Sequence, residues 1–326
     1  MTGASVPQRA LGKTGAKVSI LAVGGHHLGD AASFVEADRI AGEAVDGGIN
    51  FFDNCWEYNN GRSEDWMGRA LSVSGRRNRV LLMTKVCTHG RDAGLAMRML
   101  EESLRRLRTD HVDVWQIHGV VFDNDPELAY RKGGVLEALD QAKRDGKVRF
   151  VGFTGHKSPD VHYDMIARGY PFDTCQFPLN PFDASYRSFA GKVLPECNRR
   201  GIAVLGMKPM TGKAGPIAKG IATPEEMLRY AMSLPVATTI CGMESVDKLR
   251  ANLAIARGFE PMSQADQQKL RDRCRETALD GRFELYKVSL AFDNPHARQA
   301  HGFPIDPVQK EVKQELDHAM GTDKPE

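Results

Sequence analysis

The sequence predicts an α/β protein built as one (β/α)8 barrel, a TIM barrel, with a β-hairpin before it and an extension after it. Short apolar runs alternate with amphipathic segments eight times, and no linker rich in Pro, Gly or Ser separates them. The length of 326 residues suits one such barrel and would also allow two doubly wound domains. Because neither half shows a boundary, we assign 1–326 to one domain: a hairpin at about 8–19, a barrel at about 20–257, and a C-terminal helix and tail at about 258–326.

Eight apolar runs are the predicted strands of the barrel. Most are continuous runs of Val, Ile, Leu and Phe, which is typical of parallel strands covered by helices. The runs are ILAVGG (20–25), INFFD (49–53), VLLMTK (80–85), VDVWQIH (112–118), VRFVGFTG (148–155), DTCQF (173–177), IAVLGM (202–207) and VATTIC (236–241).

The segments between these strands carry helix signals. Ser33 predicts the N-cap of the first helix, with Glu36 as its capping-box partner and Gly47 as its stop. Ser63 predicts the N-cap of the second helix. The predicted helical segments are 34–48, 63–71, 96–107, 133–147, 158–169, 190–201, 223–234 and 245–258, with a further one at 263–279.

Two segments lie outside the barrel units. LGKTGAKVS (11–19) has a turn between short extended runs and predicts a hairpin that covers the barrel floor. After the last predicted helix the chain is irregular and contains several aromatic residues and histidines. We expect 283–304 to fold toward the barrel mouth and to determine substrate choice, because the loops at this end select substrates in such barrels.

Positive and negative charges are nearly balanced. The 44 Lys and Arg against 42 Asp and Glu give a net charge of +2, which argues against a nucleic-acid or membrane-surface protein. No run approaches the ~20 apolar residues of a membrane span, and the N-terminus lacks the apolar run of a secretory signal. We therefore expect a cytoplasmic protein that acts on a small molecule. The sequence does not predict its oligomeric state.

Six cysteines are scattered along the chain. No two form a C-x-x-C pair, so zinc and iron–sulfur sites are disfavoured and we expect no bound metal. Buried free thiols are the preferred interpretation. Cys55 and Cys87 lie near the predicted site, but with no His nearby in the sequence they are weak candidates for nucleophiles.

Polar residues end three neighbouring strands of the predicted barrel. Asp53, Lys85 and His118 close the second, third and fourth strands, and Tyr58 lies in the loop after the second. Because reactive groups of such barrels lie at these strand ends, we expect one shared site. A neighbouring ammonium group stabilises a phenolate and lowers the pKa of the tyrosine, and a carboxylate keeps that ammonium charged.

This set of side chains suits the protonation of a carbonyl oxygen. Tyr58 would donate the proton, with Lys85 and Asp53 tuning its pKa, and His118 would donate a hydrogen bond to the oxygen that gains negative charge. No side chain donates a hydride, so a nicotinamide would have to supply one.

Four segments resemble the aldo-keto reductase family, and the match covers nearly the whole barrel. RALGKTGAKVSILAVGG (9–25) resembles its opening hairpin and first strand, and FFDNCWEYNNGRSEDWMGRAL (51–71) the segment that carries its aspartate and tyrosine. MTKV (83–86) resembles its lysine strand, and LEESLRRLRTDHVDVWQIH (100–118) the helix and strand that end in its histidine. The resemblance implies a carbonyl reductase or alcohol dehydrogenase with Tyr58 as the acid, Lys85 and Asp53 as its partners, and His118 as the carbonyl orienter.

The resemblance also implies NADP(H) or NAD(H), bound across the barrel mouth without a G-x-G-x-x-G fingerprint. Thr154 and Gln176 match the carboxamide contacts, Gly155 replaces an Asn, and Met207 replaces the aromatic residue that stacks on the nicotinamide. The implied cofactor contacts are Gly25, His26, Asp53, Thr154, Gly155, Gln176, Met207, Lys208, Met210, Gly212, Gly242, Met243, Lys248 and Asn252.

The adenosine side of the implied cofactor site favours NADP(H) over NAD(H). CGMESVDKLRANL (241–253) resembles the family's adenosine segment, with Lys248 where a cation meets a 2′-phosphate and Asn252 where adenine is bound. Lys248 could instead pair with Glu244 or Asp247.

Three further residues are assigned near the reacting groups. Trp56 is expected to line the carbonyl pocket together with His118 and His156, the alternative for Trp56 being packing on the barrel rim. His26 is expected beside the cofactor. We expect His26 and His27 not to share a metal ion, because neighbours in an extended chain point to opposite faces.

Two other functions remain open. One is a redox-sensing or regulatory subunit that binds the cofactor with little turnover. The other is a metal-dependent hydrolase that uses His26 or His27 with His118 and His156, although the H-x-H spacing and a strand-eight Asp are missing.

Overall fold

The strands form a closed parallel barrel and a separate hairpin, as the sequence predicts. A computed structural model describes residues 5–87, 90–212, 215–289 and 292–293. Its strands are β1 (Gln8–Ala10), β2 (Lys17–Ser19), β3 (Leu21–Gly24), β4 (Phe51–Asp53), β5 (Leu81–Val86), β6 (Val112–Ile117), β7 (Val148–Thr154), β8 (Thr174–Pro178), β9 (Ala203–Met207) and β10 (Thr238–Gly242). Strands β3 to β10 follow one another around the barrel in chain order, and β10 pairs with β3 to close it.

Successive strand residues face alternately the barrel interior and the helices around it. Phe51 belongs to the buried cluster inside the barrel and Phe52 to the cluster under the helices. Asp53 therefore faces the interior again, at the carboxyl end of β4. The same alternation places Lys85 two residues after Met83, another member of the interior cluster.

The helices surround the barrel and extend beyond it. They are α1 (Gly25–Gly29), α2 (Phe34–Asp46), α3 (Arg62–Leu71), α4 (Ala93–Leu107), α5 (Asp125–Tyr130), α6 (Val135–Arg144), α7 (Pro159–Ala167), α8 (Phe189–Arg200), α9 (Gly215–Ala218), α10 (Pro224–Ser233), α11 (Val246–Arg257), α12 (Gln264–Ala278) and α13 (Leu285–Val288). The sequence pattern does not predict α1, α5, α9 and α13, because helices this short carry too few turns for a periodic pattern. No helix within the described ranges is long and apolar enough to cross a bilayer.

One predicted cap is confirmed and one is wrong. Ser33 Oγ accepts a hydrogen bond from the backbone N–H of Glu36, 3.2 Å away, as an N-cap should. The capping-box role predicted for Glu36 is wrong. Its carboxylate accepts a hydrogen bond from the N–H of Val246, at 2.9 Å, and so connects α2 to the start of α11. Ser63 is not an N-cap: α3 begins at Arg62, because Gly61 before it takes a left-handed φ of 87° and ends the preceding loop.

The hairpin covers the amino-terminal end of the barrel. Leu11 and Val18 are fully buried and belong to the same cluster as the barrel interior. The N–H of Lys13 donates to the carbonyl oxygen of Gly201, just before β9, at 3.3 Å. The predicted capping of the barrel floor is therefore confirmed.

The start of the C-terminal tail is fixed by a buried polar cluster. Lys287 Nζ donates to Asp183 Oδ1 at 2.7 Å and to Glu284 Oε2 at 2.9 Å, and Tyr286 Oη donates to Glu284 Oε1 at 2.6 Å. All four side chains are buried. We call Asp183, Glu284, Tyr286 and Lys287 the tail anchor.

Beyond the tail anchor, the described part of the tail contacts the ends of the barrel strands. Asp293 forms an ion pair with Lys157 just after β7, and the Phe292 ring lies 6.4 Å from that of His156. This part of the tail folds toward the barrel mouth as predicted, whereas 290–291 and 294–304 lie outside the described residues. The assignment of 1–326 to one domain stays a prediction.

Candidate active site

The ends of β4 and β5 bring Asp53, Lys85 and Tyr58 into direct contact. Lys85 Nζ forms an ion pair with Asp53 Oδ1 and donates to the carbonyl oxygen of Asn54, at 2.8 Å, and to Tyr58 Oη, at 3.2 Å. Lys85 and Asp53 are only 1% and 3% exposed, so each needs the other as a buried counter-charge. We call Asp53, Tyr58 and Lys85 the mouth triad.

A tight turn after β4 brings Tyr58 back over the barrel. Tyr58–Gly61 form a 3-10 turn in which Asn59 and Asn60 take left-handed φ values of 52° and 54°. Asn tolerates this region better than most residues, since its short side chain bonds locally. Asn59 Nδ2 also donates to the carbonyl oxygen of His26, at 2.8 Å. The Asn-Asn-Gly sequence thus allows the turn that places the phenol.

The protonation of the mouth triad differs from the sequence-based expectation. Burial and the Asp53 carboxylate raise the pKa of Tyr58 well above 10. Burial also raises the pKa of Asp53, although Lys85 opposes this effect. The expected lowering of the Tyr58 pKa is therefore wrong for the resting site, because burial penalises the phenolate more than one shared ammonium stabilises it. The phenol is protonated at neutral pH.

His118 lies after β6 among two thiols and a carboxylate. Its Nδ1 is 2.7 Å from Glu57 Oε1, 3.4 Å from Cys55 Sγ and 3.2 Å from Cys87 Sγ. Burial lowers the pKa of His118, but the Cys55 thiolate and the Glu57 carboxylate outweigh burial and raise that pKa to about 9. The view that no His stands near Cys55 and Cys87 is therefore wrong, because the contact is made between strands and not along the sequence.

The position of the His118 backbone depends on an arginine that the sequence pattern does not reveal. Arg91 Nη1 donates to the carbonyl oxygen of His118, at 2.7 Å, and Nη2 to that of Gly119, at 2.6 Å. Its Nε donates to Asp125 Oδ1, at 3.1 Å, and both side chains are fully buried. Nothing in the local sequence distinguishes Arg91 from a surface arginine; only the tertiary contact reveals it.

Gln176 and Lys208 are two of the cofactor contacts that the resemblance implies. Gln176 Oε1 is buried and has no hydrogen-bond partner among the described residues, while its Nε2 lies 3.6 Å from Met207 Sδ. Burial and the nearby Lys85 lower the pKa of Lys208 to about 8. No carboxylate within the described ranges pairs with Lys208. An amide acceptor without a donor and a cation without a counter-ion fit a carboxamide and a phosphate.

Residue 155 has no room for a side chain. A Cβ on Gly155 would lie 2.1 Å from the carbonyl oxygen of Val120 and 2.6 Å from His162 Cε1. The asparagine usual in the family would not fit here. The buried Thr154 and Gln176 are left as the candidate carboxamide contacts.

The residues implied for adenosine already have partners. Lys248 is 59% exposed and forms an ion pair with Glu244, one of the two carboxylates expected to compete for it. Asn252 Nδ2 donates to Cys241 Sγ, at 3.5 Å, and the Met243 side chain is buried. A 2′-phosphate would have to compete with Glu244 for Lys248.

The other implied contacts lie around the mouth in backbone or core positions. Gly25 is the first residue of α1, and a Cβ at this position would lie 2.4 Å from the carbonyl oxygen of Asp53. Gly242, at the end of β10, lies under the His27 ring, and Gly212 faces the ring of Tyr286. Met210 packs against the core.

Three aromatic residues near the site have contacts that the sequence did not define. The His26 ring lies 5.3 Å from that of Tyr58, beside the mouth triad. Trp56 Nε1 donates to Glu102 on α4, at 2.9 Å, and its place in the carbonyl pocket stays a prediction. The His156 ring is buried and lies 6.0 Å from that of Tyr286 in the tail.

The histidines required for a metal-dependent hydrolase do not converge in the described part of the chain. His26, His27 and Asp30 form one possible ligand group, and His118 belongs to another group that contains no second histidine. The argument that His26 and His27 point to opposite faces is also wrong. These residues lie in α1 and not in an extended chain, and their rings are 5.5 Å apart.

Comparison with known proteins agrees with this architecture. The sequence profile of the Aldo/keto reductase family matches residues 20–226. L-galactose dehydrogenase of Arabidopsis thaliana is 28% identical over 302 residues, which are 80% of this chain and 91% of that protein. A probable voltage-gated potassium channel subunit beta of the same plant is 40% identical over 117 residues, 33% of this chain and 36% of that protein.

A solved structure with the same fold is the holo form of aldo-keto reductase AKR11C1 from Bacillus halodurans. Its TM-score is 0.70 at 24% identity, over 82% of this chain and 96% of that one. The matched profile spans more than half of the chain, from β3 into α10. The chain therefore belongs to the aldo/keto reductase family of oxidoreductases.

Proposed function

We propose that the protein reduces an aldehyde or ketone to an alcohol, or catalyses the reverse, with NAD(P)H. One observation carries this proposal. Tyr58 Oη accepts a hydrogen bond from Lys85 Nζ, and no described residue accepts the phenolic proton. The proton is therefore available to a substrate oxygen.

Each residue of the site has a separate task in this proposal. Tyr58 donates its proton to the carbonyl oxygen, and Lys85, held by Asp53, stabilises the phenolate that remains. His118 holds the same oxygen through Nε2, because its Nδ1 faces Glu57. The high pKa of Tyr58 keeps the proton in place until the oxygen gains negative charge.

The cofactor is proposed to lie across the barrel mouth. Gln176 and Thr154 would hold the carboxamide, Met207 the nicotinamide face, and Lys208 the pyrophosphate. When bound, the nicotinamide supplies the hydride that no side chain can supply. We favour NADP(H) over NAD(H) because Lys248 lies on the adenosine side.

The substrate pocket is proposed to lie between His118 and the described part of the tail. His156 is buried there against Tyr286 and Phe292. These aromatic neighbours favour a small carbonyl compound with an apolar part. Trp56 is proposed to line the same pocket, with its indole N–H bonded to Glu102 on α4.

Replacing the proposed acid tests this function. In Tyr58→Phe, we expect carbonyl turnover with NADPH to fall about 10²–10⁴-fold, with cofactor affinity nearly unchanged, since only the proton donor is removed. Tyr170→Phe is the control, because its hydroxyl bonds Asp140 on the outside of the barrel. Unchanged turnover in Tyr58→Phe would refute the assignment of the acid.

A regulatory subunit that binds the cofactor with little turnover is the second candidate. The 117-residue likeness to a probable potassium channel subunit favours it. A panel of aldehydes, ketones and sugars, each with NADPH and NADH, separates the two functions. Slow cofactor release with no turnover on any member would select the regulatory function.

A further inference from the structure

Four potential metal ligands meet beside the mouth triad. Cys55 Sγ and Cys87 Sγ are 3.1 Å apart, and His118 Nδ1 lies within hydrogen-bond range of both. Glu57 Oε1 is 2.7 Å from the same nitrogen. All four donor atoms lie within 4.8 Å of one another. Neither Lys85 nor Tyr58 contributes a donor, so this group is distinct from the proposed proton donor.

The four ligands come from three neighbouring strand ends. Cys55 and Glu57 follow β4, Cys87 follows β5 and His118 follows β6. The backbone holds them in place: the N–H of Cys55 donates to Asn54 Oδ1, at 2.8 Å, and Arg91 holds the His118 carbonyl oxygen. The barrel therefore brings the ligands together before any ion binds.

From this arrangement we infer a four-coordinate Zn²⁺ site made of Cys55, Glu57, Cys87 and His118. Thiolate, imidazole and carboxylate are the ligand types that zinc takes. In a zinc tetrahedron the two sulfurs would be about 3.8 Å apart, and the nitrogen and oxygen about 3.3 Å apart. These two pairs of ligands, 3.1 Å and 2.7 Å apart, would thus separate by less than about 1 Å to admit the ion.

Burial and the choice of residues favour a metal over a simple disulfide. A disulfide needs only Cys55 and Cys87, and it would not explain the His and Glu that share their contact. The two thiols are fully buried, whereas His118 and Glu57 are 12% and 16% exposed and leave an entry for an ion. Zinc is preferred to calcium or magnesium, because those ions favour oxygen ligands.

Zinc at this site would also set the proton position on His118. A metal on Nδ1 leaves the proton on Nε2, the nitrogen that would face the carbonyl oxygen. This consequence rests on the proposed function, whereas the zinc site does not. His118 would then be positioned by the ion and by Arg91 together.

The test measures zinc directly. The full chain, reduced with a phosphine and purified without chelator or metal-affinity tag, is given Zn²⁺, dialysed and analysed for metal. We expect about one tightly held zinc per chain, and less than about a tenth of that in Cys55→Ser/Cys87→Ser. Cys175→Ser/Cys197→Ser is the matched control. It removes another hydrogen-bonded pair of buried free thiols, and this pair belongs to no ligand group in the described chain. This control should keep its zinc.

A second measurement covers the case in which the double variant does not fold. In the wild-type chain, Zn²⁺ should slow the alkylation of Cys55 and Cys87, read by mass spectrometry, and leave Cys175 and Cys197 unaffected. The inference is overturned if zinc content equals that of a folded Cys55→Ser/Cys87→Ser variant, or if zinc protects neither thiol. A Cys55–Cys87 disulfide that persists with Zn²⁺ and phosphine present would also overturn it.

The two proposals fail separately in these experiments. Tyr58→Phe should bind as much zinc as the wild type, because Tyr58 is not a ligand. A chain with zinc but no turnover would therefore refute only the reductase, and turnover without zinc would refute only the metal site.

Discussion

Two buried lysines in this protein have similar neighbours and different hydrogen bonding. In the mouth triad, Lys85 pairs with Asp53 and donates to Tyr58. In the tail anchor, Lys287 pairs with two carboxylates, and its third partner is the carbonyl oxygen of Tyr186, at 2.8 Å. The two clusters thus combine the same side-chain types.

The two tyrosines differ in what receives the phenolic proton. Tyr286 donates it to Glu284, at 2.6 Å, and accepts from Asn180, at 3.0 Å. Tyr58 accepts from Lys85, and no described residue accepts from it. Burial raises the pKa of both tyrosines well above 10. The pKa therefore does not separate the proposed acid Tyr58 from the structural Tyr286. What separates them is that the phenolic proton of Tyr286 is donated to Glu284, whereas that of Tyr58 has no acceptor among the described residues.

The largest expected effect is that of removing the lysine of the mouth triad. In Lys85→Met, kcat should fall about 10²–10⁴-fold, because the phenolate that forms on Tyr58 loses its cation. Single-turnover rates with saturating cofactor measure this effect. A kcat within threefold of wild type would show that Lys85, like Lys287, is not needed for turnover.

Removing the lysine of the tail anchor should instead affect stability. Lys287→Met leaves Asp183 and Glu284 buried without a cation, which should cost about 3–5 kcal/mol of unfolding free energy in urea. The fraction that stays folded should keep its kcat. Loss of turnover in the folded protein, comparable to that of Lys85→Met, would contradict the distinction.

His156 connects the barrel to the tail and should make stability depend on pH. Burial lowers its pKa from 6.5 to about 4. Below pH 6.5 the unfolded chain takes up a proton that the folded chain does not, so the unfolding free energy should fall as pH drops from about 6.5 to about 4, by at most about 3 kcal/mol from this residue.

The variant His156→Phe isolates this contribution. Phe keeps a ring against Tyr286 and Phe292, and it cannot be charged. Urea melts at pH 7 and pH 5 should show a smaller pH effect than in wild type. Part of the slope should remain, because burial also lowers the pKa of His162, to about 3. If the unfolding free energy of His156→Phe changed between pH 7 and pH 5 as much as that of wild type, His156 would not contribute to the pH dependence of stability.

The smallest effect is expected at an exposed lysine. Lys248→Ala removes a surface ion pair with Glu244, which contributes about 0–1 kcal/mol, so stability should barely change. We expect KM for NADPH to rise about 5–10-fold, by loss of one charge-assisted contact, and KM for NADH to stay constant. Equal changes for both cofactors would remove the reason for favouring NADP(H).

Much of the barrel and of the mouth triad could be predicted from the sequence. Strand ends align in a parallel barrel, so polar residues that end neighbouring apolar runs must meet; Asp53 and Lys85 do. Ser63 was misassigned because the local pattern of an N-cap does not reveal that Gly61 already ends the loop. Arg91 and Lys287 carry no local signal of burial, since Arg91 donates to the distant His118 carbonyl oxygen and Lys287 to the distant Asp183 carboxylate.

The proposed zinc ligands illustrate the same limit. A search for C-x-x-C pairs detects ligands that share one loop, and here Cys55 and Cys87 stand on different strands. The Sγ atoms touch only because β4 and β5 are hydrogen-bonded neighbours. The expectation of no metal rested on local spacing alone.

The order of apolar runs and helix signals determined the fold class by itself, because alternation and periodicity are local properties of the chain. It also placed Asp53, Tyr58, Lys85 and His118 at one end of the barrel. Only the tertiary structure decided which groups are buried and which are paired. Those two facts set the direction of the Tyr58 pKa, the neighbours of His118 and the docking of the tail, because desolvation and hydrogen bonding depend on contacts between distant residues.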